Sequence, residues 1–110
     1  MKIFLDDERQ APNGWVTARW PTEVIALLNA GSVDVVSLDH DLVDDARGTG
    51  YDVILWIEEA VATRGFVPPQ IVVHSANTSA CIKMEAGIRS IKRSWCAVWR
   101  GRYGEMKHGE

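Results

Sequence analysis

The chain has 110 residues, 46% of them hydrophobic and 25% charged, which suits a single globular domain with one core and excludes two. No apolar run approaches the roughly 18 residues that a membrane span needs, and Met1-Lys2-Ile3-Phe4-Leu5 meets acids too soon for a secretory signal, so a cytoplasmic protein without a membrane partner is expected. The formal charge of −3 hides an asymmetry: residues 1–62 carry twelve acids against four bases, and residues 89–110 carry six bases against two acids.

An acidic front of this kind attracts cations, whereas a basic tail either meets phosphate or nucleic acid or stays solvated. The two cysteines, Cys81 and Cys96, have no metal or redox spacing, and buried reduced thiols are expected rather than a disulfide.

In chain order, the apolar run Lys2-Ile3-Phe4-Leu5 predicts a short strand that ends in Asp6-Asp7-Glu8-Arg9. Ala11-Pro12-Asn13-Gly14 reads as a turn, and the alternation in residues 15–19 suits an edge strand. Pro21 can open a helix whose stripe is Val24, Ile25, Leu27 and Leu28, with Gly31 at its end. A buried strand over 34–38 follows, ending in Asp39-His40-Asp41-Leu42. After a loop at 43–50, a helix over about 52–63 places Val53, Ile54, Ile57, Ala60 and Val61 on one side.

Gly65 ends that helix and Pro68-Pro69 prevents its continuation. Residues 70–73 form a further strand, ending in His74-Ser75-Ala76-Asn77. Asn77 or Thr78 caps a last helix with Cys81, Met84, Ile88 and Ile91 at helical spacing, weakened by Gly87. The short apolar run Trp95-Cys96-Ala97-Val98-Trp99 is expected as a fifth strand, and residues 100–110 as a basic C-terminal tail.

Strands alternating with helices imply right-handed parallel crossovers and a three-layer α/β sandwich. A flavodoxin-like strand order makes the first and third strands neighbours, with ligands in the crevice beyond the carboxyl ends of the strands. Three strand ends bearing acids, acids with imidazole, and imidazole with hydroxyl then meet at one rim.

Asp6, Asp7, Asp39 and Asp41 are the candidate metal ligands, since hard cations such as Mg²⁺, or Mn²⁺, prefer carboxylate oxygens and keep waters that a phosphate can displace. The competing reading is that some of them cap turns or helices. His40 and His74 are candidate proton-transfer groups, because imidazole titrates near neutrality; each could instead be a hydrogen-bonded structural residue. Ser75 and Asn77 either hold a phosphoryl oxygen or cap the helix behind them, and Arg9 either neutralises phosphate or pairs with a neighbouring acid. Asp52 is expected to cap its helix. Trp56 and Trp99 read as core or interface, and Trp15 and Trp20 as less favoured surfaces for stacking a nucleobase.

The segments Phe4-Leu5-Asp6-Asp7-Glu8-Arg9, Ser37-Leu38-Asp39-His40-Asp41-Leu42, Gly48-Thr49-Gly50-Tyr51-Asp52-Val53 and Val73-His74-Ser75-Ala76-Asn77 resemble, in that order, the cyclic-phosphate processing receiver-like domains of bacteria and their phages. The resemblance covers nearly all of residues 1–91. It implies a fold similar to response-regulator receivers, with residues 1–99 as the receiver-like domain. It also implies that Asp6, Asp7 and Asp39 correspond to the receiver's acidic pocket and Ser75 to its hydroxyl after the fourth strand. His40 and His74 are what set the family apart from signalling receivers.

The expected function is that of a metal-dependent phosphoesterase acting on a cyclic phosphate, in a nucleotide or at an RNA end. In this reading Asp39, His40 and His74 are catalytic, and Arg9, Ser75 and Asn77 hold the substrate. The alternative is a non-catalytic module that binds a metal, a nucleotide or a protein partner.

Overall fold

The computed structural model describes residues 1–39, 48–75 and 77–103, with side chains described as far as Ala97. His40 and Asp41 lie outside the described residues, as do the other residues of 40–47, Ala76 and residues 104–110.

Strand β1 (Lys2–Leu5) leads through a helix-free connection into β2 (Val16–Ala18), and helix α1 (Pro21–Ala30) then leads into β3 (Val35–Leu38). Helix α2 (Gly50–Arg64) connects to β4 (Gln70–Val73), and α3 (Thr78–Tyr103) follows. All pairings are parallel, and the order across the sheet is β2-β1-β3-β4. The expected adjacency of the first and third strands is present, with Leu5 level with Leu38 and Leu38 level with Val73.

The architecture is the expected α/β receiver-like fold, with four strands in place of five; among the described residues its helices lie on one face of the sheet, which makes two layers where three were expected. Topology explains that placement. The crossovers β2-α1-β3 and β3-α2-β4 step in the same direction across the sheet, so right-handed connections put α1 and α2 on the same side. Helix α3 packs on α2. The step from β1 to β2 runs the opposite way and should cover the other face, but its connection carries no helix.

The predicted fifth strand is corrected: residues 95–97 lie within α3, which continues through Tyr103. Met84, Ile88, Ile91 and Trp95 keep one helical stripe, the first three buried and Trp95 packed against the core. No proline or glycine separates Ile91 from Trp95, so nothing in that stretch stops the helix.

Alternate residues of the two central strands enter the core: Ile3, Leu5, Val36 and Leu38 are buried, as is Ala18 of β2, while Val16 at the sheet edge stays 39% exposed. Val24 and Leu28 of α1, Val53, Ile54, Ile57 and Val61 of α2, and Met84, Ile88 and Ile91 of α3 complete one cluster with them. Burying each large aliphatic side chain contributes about 1.5–3 kcal/mol relative to exposure.

Pro21 occupies the first turn of α1 as expected, and the amides of Arg19 and Trp20 donate to Glu23 Oε1. Thr49 caps α2 by accepting from the Tyr51 amide, while its own amide donates to Asp52 Oδ2 at 2.7 Å. Asp52 is therefore a capping residue. Gly65 ends α2 in the left-handed conformation, φ 64°. Gly87 has a structural use, because a Cβ there would stand 2.6 Å from Ile54 Cγ2; the missing side chain lets α3 approach α2. Both cysteines are free, Cys81 half-buried and Cys96 exposed, which corrects the expectation that both thiols are buried.

Candidate functional site

The strand ladders extend one residue past the assigned strands. The amide of Asp6 donates to Ala18 O, that of Asp39 to Leu5 O, and that of His74 to Leu38 O, all within 3.0–3.1 Å. The register is thereby carried onward, so that Asp6, Asp39 and His74 end level at the carboxyl rim of β1, β3 and β4. The period of two turns all three to the side opposite the core. One ligand atom from each lies within 4.8 Å of the others.

Asp6 divides its two oxygens. Oδ1 accepts from the amides of Glu8 and Arg9, both at 2.9 Å, which closes the turn after β1. Oδ2 faces His74 Nε2 at 3.2 Å, with the exposed Arg9 Nε at 3.7 Å. Burial pushes this carboxyl up, but the Arg9 and Glu8 amides and His74 together outweigh burial and hold it below its ordinary value of 3.8. Asp6 is thus both the turn cap of the competing reading and a member of the rim cluster.

His74 is held from three directions. Its Nδ1 lies 2.6 Å from Ser37 Oγ, its Nε2 meets Asp6, and Phe4 stacks on its ring with centroids 4.3 Å apart and planes 6° from parallel. Phe4 and Ser37 are level on β1 and β3, two residues before Asp6 and Asp39 respectively. They form the shelf beneath the rim.

Asp39 is buried, 8% exposed, and its backbone meets the start of α2. A Cβ on Gly50 would collide with the Asp39 carbonyl oxygen, so the glycine permits helix and strand end to touch. Of the two Gly48-Thr49-Gly50 glycines, Gly50 makes the close approach, to backbone.

The described donors fit a divalent cation. Two carboxylates suit Mg²⁺ or Mn²⁺, and the neighbouring imidazole keeps its two nitrogens on Ser37 and Asp6. Asp7, which follows Asp6, stands outside this group; one of its carboxylate oxygens is buried, and its carbonyl accepts from Arg19 Nη1 at 3.0 Å.

Ser75 and Asn77 serve the start of α3. Ser75 Oγ accepts from the Asn77 amide at 3.1 Å, and Asn77 Oδ1 accepts from the Ala80 amide at 3.0 Å. The capping alternative is therefore present at both residues.

Sequence reading missed Ser37 and Phe4. Their signal was the strand period itself: stepping back two residues from Asp39 and Asp6 reaches the side chains beneath His74. Trp56 meets Phe66 edge-on and lies under Arg64, consistent with a packing role, and Trp20 packs against the core. A cavity of about 150 Å³ between Pro68, Pro69, Gln70 and Ile88, Ile91, Lys92 lies at the other end of β4 from the rim. Among the described residues, no helix is long and apolar enough to cross a membrane.

The family described as "Cyclic-phosphate processing Receiver domain" matches residues 1–90. No curated protein and no solved structure matches the chain.

Proposed function

Because the chain belongs to the cyclic-phosphate processing receiver domain family, we propose that the rim of Asp6, Asp39 and His74 hydrolyses a cyclic phosphate ester to a phosphomonoester. The observation that carries this reading is the convergence of two carboxylates and an imidazole, remote in sequence, within 4.8 Å. Asp6 and Asp39 would hold a divalent cation, Mg²⁺ or Mn²⁺, with Asp7 beside them. A cation bound there supplies charge neutralisation at the phosphoryl oxygens.

The protein groups divide the proton transfers. The Asp39 carboxylate orients a water against phosphorus and takes its proton. As the new P–O bond forms, the bond from phosphorus to one ribose oxygen breaks. His74, entering as the imidazolium, gives that oxygen its Nε2 proton. The neutral imidazole left behind keeps its Nδ1–H directed at Ser37 Oγ, so the ring holds one orientation throughout. Phe4 fixes the ring plane. Arg9, exposed beside Asp6, supplies a cation for the phosphate.

The test is incubation with 2′,3′-cyclic mononucleotides, cyclic dinucleotides and RNA ending in a cyclic phosphate, each with Mg²⁺ or Mn²⁺. Expected is a phosphomonoester product from at least one of them, lost in Asp39→Asn. Metal or nucleotide binding without turnover of any substrate refutes the enzyme and leaves the binding module.

A further inference from the structure

We propose that the sheet face that carries no helix among the described residues is a platform for single-stranded RNA, which lies across it and delivers its cyclic-phosphate end to the rim. This rests on the phosphoesterase reading above and names its substrate class. The face presents Lys2 and Phe4 of β1, Trp15 and Thr17 on the β2 side, Ser37 of β3, and Val72 of β4. Lys2 and Thr17 are exposed, Phe4 and Trp15 half-buried, and Val72 is 40% exposed.

Three observations select this occupant. First, the rings form an unbroken row into the site: Trp15 meets Phe4 at 6.3 Å between centroids and 82°, and Phe4 stacks on His74 at 4.3 Å. Aromatic side chains on an open sheet stack unpaired bases without regard to sequence. Second, a cation stands beside the outermost ring: among the strand positions of this face Lys2 is the charged one, its Nζ 5.7 Å from the Trp15 ring centroid. A phosphate beside a base on Trp15 would meet that ammonium.

Third, the scale fits. From the level of Lys2 and Trp15 to that of Asp6 is four residues, about 13 Å of strand, a span of two to three nucleotides. Ribose is what lets a terminal phosphate bridge 2′ and 3′ oxygens, so an RNA strand can carry the cyclic end that the rim would take. A duplex end would keep its bases paired and away from the indole.

The experiment measures binding of a fluorescein-labelled single-stranded RNA octamer ending in a 2′,3′-cyclic phosphate, by anisotropy in EDTA at low salt. Hydrolysis of the same octamer and of a 2′,3′-cyclic mononucleotide is measured with Mn²⁺. Trp15→Ala should weaken octamer binding about tenfold or more, raising KM for the octamer with kcat and mononucleotide hydrolysis unchanged. Trp15→Phe should restore most of the affinity. Lys2→Ala should lower the slope of log affinity against log salt by about one, which keeps the test decisive if Trp15→Ala fails to fold.

Equal octamer affinity in wild type, Trp15→Ala and Lys2→Ala overturns the platform, even if cyclic mononucleotides are hydrolysed. So does a wild-type dimer in sedimentation that Trp15→Ala dissociates, since a second copy would then cover the face. Octamer binding that depends on Trp15 and Lys2, with no hydrolysis of any substrate, supports the platform and removes the phosphoesterase alone.

Discussion

The two faces of the sheet are made from alternate residues of the same strands and differ in what covers them. On one face Ile3, Leu5, Val36 and Leu38 are sealed under three helices. On the other, Phe4 and Ser37 stand among partly exposed residues and lead up to Asp6, Asp39 and His74. The first face derives its stability from apolar area removed from water. The second holds buried polar groups in position through hydrogen bonds, each modest in net worth but expensive to leave unmade. Neighbours in sequence therefore have opposite assignments, which makes the comparison easy to break.

Leu38 and Asp39 are the sharpest such pair. His74, which closes the rim beside Asp39, should show the largest functional effect: His74→Gln is expected to lower turnover of a cyclic phosphate about 10²–10⁴-fold and to leave a cooperative thermal transition. Leu38→Ala is expected to destabilise by about 2–5 kcal/mol, read from urea unfolding, with per-molecule activity retained in the folded fraction. A large stability loss in His74→Gln, or an activity loss in Leu38→Ala beyond its unfolded fraction, would erase the division between the faces.

Gly87 sharpens the description of the covered face. Gly87→Val places atoms where the Ile54 methyl already sits, and overpacking of this kind costs about 1–3 kcal/mol. Improved intrinsic helix propensity relative to glycine works against that cost, so a net gain in stability would show that α2 and α3 can separate without penalty. Chemical denaturation of the variant decides the sign.

How far the sequence disclosed this arrangement follows the same division. The rim was legible because short apolar runs ended in Asp6, Asp39 and His74, and parallel strands bring their ends together. The covered face was legible from periodicity in Val53, Ile54, Ile57 and Val61. Residues 95–99 were misread because a short aromatic and β-branched run fits strand and helix alike. What decided the matter was the stripe through Met84, Ile88, Ile91 and Trp95, with no intervening breaker. Ser37 and Phe4 were not singled out as site residues, since a serine within a strand acquires meaning only when register puts it under His74. The helix-free face required the strand order, which shows that the first crossover runs opposite to the others.

Ser37 belongs to the boundary between the faces, being buried at 5% exposure yet bonded to His74. Ser37→Ala removes a hydroxyl whose net hydrogen-bond contribution is about 1 kcal/mol. The larger consequence should be chemical: a ring held only by Asp6 and Phe4 points its Nε2 proton less constantly, and kcat should fall about tenfold or more, as when outer partners of site histidines are removed. The fall should appear in kcat with KM little changed, and Ser37→Thr, which keeps a hydroxyl, should recover part of it. A change in KM alone would assign Ser37 to binding rather than to orientation of His74.

The smallest expected effect is the acid dependence of the metal-free protein. Burial opposes ionisation of Asp6, but the Arg9 and Glu8 amides and His74 hold its folded-state carboxyl below 3.8. A depressed folded value means that the unfolded chain binds the proton first as pH falls. The stabilisation is therefore fully present above the ordinary value and is lost as pH drops from there through the folded one. In Asp6→Asn the amide cannot titrate, and its carbonyl oxygen can still accept from one backbone amide of the turn. Urea midpoints measured in EDTA between neutral pH and about pH 3 should thus fall less steeply in Asp6→Asn than in wild type. Parallel curves would mean that Asp6 is equally ionised in both states, and the hydrogen bonds that tie the turn after β1 to His74 would then not favour its charged form.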